Sequence, residues 1–107
     1  MRMDVYQRDV ERTLKSDHDP AMKRLAVTLG LCGEAGEVGE LVKKQYLHGR
    51  EMDYARLAEE LGDTLWYVSA VASSYGLDLG DIAAGNVAKL RARYPDGFAP
   101  RAEGGVS

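Results

Sequence analysis

Four carboxylates in two matched pairs, Glu34-Ala-Gly-Glu37 and Glu60-Leu-Gly-Asp63, constrain this chain more than any other feature. Each pair is spaced i, i+3 within a stretch whose apolar residues recur at helical spacing. On an α-helix that spacing puts both side chains on one face, one turn apart. Two such pairs facing each other concentrate four negative charges in a small volume. The arrangement is unfavourable unless a divalent cation sits between them, and hard oxygen ligands favour Mg²⁺ or Mn²⁺. The pattern therefore points first to a metal site and through it to phosphate chemistry.

The rest of the chain reads as helical. No segment alternates with period two over a strand's length, so a sheet is not expected. A first helix is expected over Met3 to Leu14, where Val5, Tyr6, Val10 and Leu14 lie near helical spacing. Ser16 to Pro20 reads as a turn and helix start, with Asp19 as N-cap and Pro20 as first helical residue. A long helix then runs to Leu47 and ends near His48-Gly49. A third starts at the cap Asp53 and runs to Tyr75, with Gly76 as its stop. A fourth starts at Asp78 or Asp81 and continues to Tyr94, where Pro95 breaks it. The expected architecture is all-α: a four-helix-bundle-like subunit over residues 1–98 that associates through its helices. Residues 99–107, with Pro100, Gly104 and Gly105, are expected to form a flexible tail.

Composition narrows the partners. A chain of 107 residues with 45% hydrophobic residues fits one domain and one modest core, which self-association would help. Net charge is −3, from 17 acidic and 14 basic residues, which argues against binding a nucleic-acid polymer or an anionic membrane. The single cysteine, Cys32, rules out an intrachain disulfide, suits a reducing cytosol and reads as a small buried hydrophobe. The N-terminus is polar, and no apolar run approaches the roughly 20 residues that span a bilayer. A cytoplasmic location is expected.

At about 100° per residue, Val27, Leu31, Ala35, Val38 and Val42 form the apolar stripe of the second helix. Glu34 falls about 60° from its centre and Glu37 about 120°, so Glu34 is expected half-buried and Glu37 at the border. Glu40 lies on the far side, where pairing with Lys43 or Lys44 makes it ordinary surface charge. On the third helix, Tyr54, Leu57, Leu61, Leu65, Val68 and Ala72 form one stripe that Glu60 borders. Asp63, Trp66 and Ala70 lie further round. A helix with two apolar faces is sandwiched: one face packs in its own bundle, and the other meets a partner subunit or lines a pocket. Gly36 and Gly62 sit beside the carboxylates. Glycine inside a helix costs up to ~1 kcal/mol relative to alanine, so these positions are expected to admit close approach of a helix or ligand.

These residues resemble a known family. Gly33-Glu34-Ala-Gly-Glu37-Val followed by Glu60-Leu-Gly-Asp63-Thr-Leu-Trp66-Tyr67 is similar to the E-x-x-E and E-x-x-D blocks of the MazG-like nucleotide pyrophosphohydrolases. Asn86-Val-Ala-Lys89-Leu90 and Arg93-Tyr94-Pro95-Asp96-Gly97-Phe98 resemble that family's N-x-x-K-L and R-Y-P-x-G-F segments, so the likeness runs from about residue 22 to 98. It implies an all-α fold whose subunits associate as dimers or dimers of dimers. It also implies Mg²⁺-dependent cleavage of nucleoside triphosphates between the α- and β-phosphates, giving a monophosphate and pyrophosphate. By position, Glu34, Glu37, Glu60 and Asp63 would ligate the metal, and Asn86 and Lys89 would contact phosphates or sugar. Many members carry a further Glu just before the first motif Glu. Here that position is Gly33, so the role of that carboxylate does not transfer.

In this chemistry, a carboxylate not saturated by metal orients or deprotonates the attacking water, and Glu37 and Glu59 are the candidates. Two metals are plausible, because four carboxylates overload one Mg²⁺. Lys89 and Arg93, at i, i+4, share a helix face, and Asn86 lies one turn earlier, making a polar strip suited to phosphates. Lys43 and Lys44 read equally as phosphate contacts or as surface. Trp66 reads equally as a base-stacking platform or as interface packing. His18 and His48 fall in turns, and no Glu-x-x-His is present, which weighs against di-iron chemistry. The expected function is nucleotide-pool housekeeping, with dUTP, dCTP, a damaged nucleotide or a phosphoribosyl nucleotide as substrate. The alternative is a non-catalytic helical interaction module with a degenerate acidic site.

Overall fold

The computed structural model describes residues 1–14 and 19–97. These contain four helices: α1 (Met3–Thr13), α2 (Pro20–Leu47), α3 (Tyr54–Ser74) and α4 (Leu79–Arg93). No strand occurs among the described residues, only an isolated bridge between Pro95 and Gly97. The all-α expectation holds. Part of the expected turn at Ser16–Pro20, including His18, and the expected flexible tail at 99–107 lie outside the described residues.

The helix ends follow local chemistry. Asp19 accepts from the Met22 amide at 3.0 Å, with Pro20 opening α2. Asp53 accepts from the Arg56 amide at 3.1 Å, and Asp78 from the Asp81 amide at 2.8 Å. Asp78 is thus the cap of α4, and Asp81 lies in its first turn. Gly76 takes φ +70, with its amide bonded to Ser73 O and the Leu77 amide to Ala72 O, a Schellman stop that only glycine makes without strain.

α2 and α3 form the main packing unit, folded back on each other by the short connection at residues 48–53. α1 packs on α3, and α4 touches α1 and α3 but not α2. Val10, Val27 and Ala70, one from each of α1, α2 and α3, make the buried cluster, flanked by Tyr6, Leu14, Trp66, Tyr67 and Val71. Beside it, Gln7 is a buried polar clamp. Its amide nitrogen donates to Ser73 Oγ at 3.0 Å and Leu77 O at 2.9 Å, while its carbonyl accepts from the Leu79 amide at 2.8 Å. One satisfied side chain thereby ties α1 to the α3–α4 corner.

The packing decides which of the two apolar faces of α3 turns inward. Trp66 and Ala70 point into the protomer, because α2 and α1 both cover that side. The longer stripe lies largely open: Tyr54, Leu61 and Leu65 are exposed, Leu57 and Val68 are half-buried, and only Ala72 is buried. On α2, Val27 is buried and Leu31 and Val38 are half-buried, but Ala35 and Val42 are exposed. Cys32 is exposed, not buried, because α2 turns that side away from α3. Every α4 residue from Ala84 to Arg93 is exposed, including Val87 and Leu90. The Cα radius of gyration is 17.2 Å, against about 13 Å for a compact domain near this length.

The glycines are also redistributed. A Cβ on Gly36 or Gly62 would meet nothing within 4 Å, so neither serves a close approach within the protomer. The contact glycine is Gly30, where a Cβ would collide with the Tyr67 ring. Gly30→Ala should destabilise the chain by ~1–3 kcal/mol through overpacking, only partly offset by helix propensity. Gly39→Ala, where a Cβ meets open space, should leave stability unchanged or raise it by up to ~1 kcal/mol. Urea midpoints of the two variants check the contrast.

Candidate metal centre

The site is built where α2 and α3 face each other. Glu34 and Glu60 are half-buried and Asp63 is exposed. One carboxylate oxygen from each lies within 4.8 Å of the others. Octahedral Mg²⁺ with bonds of about 2.0–2.1 Å spaces its oxygens roughly 3–4 Å apart. Small rotamer changes therefore close these three onto one cation. Glu60 Oε2 is buried without a hydrogen-bond partner, one of two such side-chain atoms among the described residues; the other is the Ser69 hydroxyl. A buried, unpaired carboxylate oxygen is costly, and a cation is the partner that an acidic cluster can accept. The donor set is all oxygen and anionic. It fits Mg²⁺ or Mn²⁺.

The electrostatics agree. The Glu34 carboxyl is pushed above the ordinary glutamate range, first by its hydrogen bond with the Glu60 carboxyl, then by burial, then by the charges of Glu60, Asp63 and Glu37. Like charges crowded together favour keeping one proton. Tyr6 on α1 also feels the cluster. Burial, and then the Asp63 charge, push its phenol up, so it keeps its proton and stays a donor. Tyr6 was legible only as a helix-spaced apolar residue, and nothing in its spacing placed it at the site.

The remaining predicted residues divide. Glu37 is not one of the three converging carboxylates; it is exposed and lies 3.8 Å from the Arg56 guanidinium. Glu59 is exposed on α3. Glu40 pairs with Lys43 at 3.6 Å as surface charge, as expected. Trp66 and Tyr67, edge to face at 4.9 Å and 82°, line a cavity of about 380 Å³ together with Glu34 and Asp63. Asn86, Lys89 and Arg93 are exposed on α4 and line no part of it. The chain therefore gathers three of the four expected acidic ligands and leaves Glu37 and the basic strip apart.

A family model described as the MazG nucleotide pyrophosphohydrolase domain matches residues 23–98. The chain is also 33% identical over 106 residues to the Gene 37 protein of Mycobacterium phage L5, an alignment spanning 91% of this chain and 92% of that one. No solved structure matches the chain. Within the described residues, no helix is long and apolar enough to cross a membrane.

Because Glu34 holds its proton more tightly folded than unfolded, its contribution to stability is full below the ordinary glutamate pKa. It is lost as pH rises through the raised folded value. At neutral pH the cation-free cluster therefore opposes folding. Saturating Mg²⁺ or Mn²⁺ should raise the thermal midpoint at pH 7 by at least ~4 °C. The increment should shrink as pH falls through the acid range, and in Glu34→Gln. Thermal scans with and without cation at each pH check this.

Proposed function

The chain belongs to the MazG nucleotide pyrophosphohydrolase family, and from that premise we propose that it hydrolyses nucleoside triphosphates between the α- and β-phosphates, releasing a nucleoside monophosphate and pyrophosphate. The observation that carries the reading is the convergence of Glu34, Glu60 and Asp63 around a buried, unpaired Glu60 oxygen. Glu34, Glu60 and Asp63 would hold the cation, and Glu37, one turn from Glu34, would complete the set once its loose contact with Arg56 is exchanged. A bound divalent cation supplies charge neutralisation for the phosphate oxygens and acidifies water.

The chain's own residues do the rest. The water oxygen bonds to a phosphorus of the α–β bridge, and the bridging P–O bond breaks with its electron pair leaving on the departing phosphate. Glu59, or Glu37 where the cation leaves it free, takes the water's proton; both are exposed and outside the three-carboxylate cluster. Lys89 and Arg93 neutralise charge on the triphosphate, and Asn86 donates a hydrogen bond to its oxygens.

α4 does not pack on α2 in its own protomer, and its outer ten residues are uncovered. An isolated helical arm of that length is marginal in water. A second copy gives it a surface, covers the open stripe of α3, and places a basic strip opposite an acidic cleft. Self-association is therefore part of the proposed function, as a dimer or a dimer of dimers. Nucleotide-pool housekeeping in the cytoplasm is the role that this chemistry suits.

Pyrophosphate release from a triphosphate panel should require Mg²⁺ or Mn²⁺. It should fall in Asp63→Asn by at least the roughly 10–100-fold that losing an outer-shell partner costs, with helicity unchanged. Lys89→Ala should also be impaired. A co-refolded mixture of the two variants should regain activity if α4 serves the neighbouring cleft. No hydrolysis across the panel, with capture of a partner protein by the intact chain, would favour the non-catalytic interaction module instead.

A further inference from the structure

A second cavity, of about 280 Å³, lies between α1, α2 and α3. Thr13, Leu14, Lys23, Val27, Trp66 and Tyr67 are among its walls. Trp66 and Tyr67 also wall the carboxylate cavity, so the two spaces are neighbours that share this aromatic pair. The second cavity is the more apolar, and none of its walls is acidic. Its volume is just under the roughly 300 Å³ at which small-molecule sites begin, enough for one planar ring system.

The aromatic wall is held in place. Trp66 Nε1 donates to Thr13 Oγ1 at 2.8 Å, and the Thr13 hydroxyl donates its own proton to Val10 O at 2.8 Å. The Thr13 hydroxyl therefore has a fixed direction, and it fixes the indole. The edge-to-face contact with Tyr67 holds the ring from the other side. Lys23 is half-buried, and its side-chain ammonium makes no ion pair or hydrogen bond among the described residues. Its ammonium offers three donors and no acceptor.

We propose that this cavity receives the base of the nucleotide whose phosphates lie at the carboxylate cluster, with the indole of Trp66 as its platform and Lys23 donating to a carbonyl oxygen on the base edge. The inference rests on the nucleotide reading above and adds a substrate class. A donor-only lysine in the wall favours keto bases, such as uracil, thymine or guanine, over adenine, which has no carbonyl. Thr13 is a positioning residue: it acts only by holding the indole. An aromatic platform gives contact area that any base can use. Lys23 therefore supplies the discrimination.

Trp66 is the chain's single tryptophan, so its emission reports the two cavities that it walls and no other part of the chain. The test titrates the full chain, with Mg²⁺, using non-hydrolysable deoxyuridine and deoxyadenosine triphosphate analogues and inorganic tripolyphosphate. Pyrophosphate release is followed separately with the natural triphosphates. The deoxyuridine analogue should change Trp66 emission saturably, and with a lower midpoint than the deoxyadenosine analogue. Tripolyphosphate, which occupies only the carboxylate cavity, sets the baseline, and its emission change should be smaller than that of either analogue. Lys23→Ala should raise the deoxyuridine midpoint about tenfold and leave the deoxyadenosine midpoint where it was. Thr13→Val should shift the starting emission and weaken both analogues alike, and Thr13→Ser should restore them. An equal response to tripolyphosphate, an unchanged base order in Lys23→Ala, or hydrolysis without any emission change would each overturn the base site while leaving the reaction intact. An emission response without pyrophosphate release would instead overturn the reaction and keep the base site.

Discussion

Mutual repulsion among Glu34, Glu60 and Asp63 is the constraint on which the rest of this molecule turns. Three carboxylates whose oxygens approach within 4.8 Å oppose the packing of the two helices that carry them. Those helices, α2 and α3, are also the main packing unit of the chain. The fold tolerates the conflict in two ways. Glu34 retains a proton more readily than an ordinary glutamate, and the Tyr67 ring fits against Gly30, which lets α2 and α3 close on the apolar side of the site. A divalent cation removes the conflict instead of tolerating it, which links the stability of the hairpin to the chemistry proposed for it.

The second constraint is a shortage of core. Among the described residues only Val10, Val27, Ala70, Ala72 and Leu79 are buried apolar residues, while large apolar side chains on the outer face of α3 and along α4 remain open. A single short domain already buries a modest share of its surface. In this chain the open surface has a defined shape: the α3 stripe through Tyr54, Leu61 and Leu65, and an arm whose basic strip is separated from the acidic cleft. On the proposed reading, one protomer holds an acidic half-site and offers a basic one, and assembly joins them.

Much of this was legible in the sequence, because the relevant signals are local. Helix starts were carried by Asp19, Asp53 and Asp78, whose side chains need only their own first turn. The stops at Gly76 and Pro95 are equally local. The burial of Glu34 followed from its angle to Val27 and Leu31. What failed depended on neighbours that the sequence does not name. Periodicity finds two apolar faces on α3 but cannot say which meets α2, and the longer stripe proved to be the outer one. Gly36 and Gly62 drew notice beside the carboxylates, yet the close approach is at Gly30, because Tyr67 comes from another helix. Gln7 carried no signal in the sequence and is a buried clamp, since its three partners lie some seventy positions away. Trp66 stood between a platform and packing, and its bond to Thr13 shows it anchored within its own protomer.

The central claim is that the four-residue pattern exists to bind a cation and that Glu34, Glu60 and Asp63 are its inner ligands. Anomalous scattering from crystals grown with Mn²⁺ tests it most directly. A peak bonded to one oxygen from each of these three side chains, with Glu60 Oε2 or its twin among them, is the predicted result. A peak elsewhere on the chain, or none at saturating Mn²⁺ and neutral pH, would contradict it.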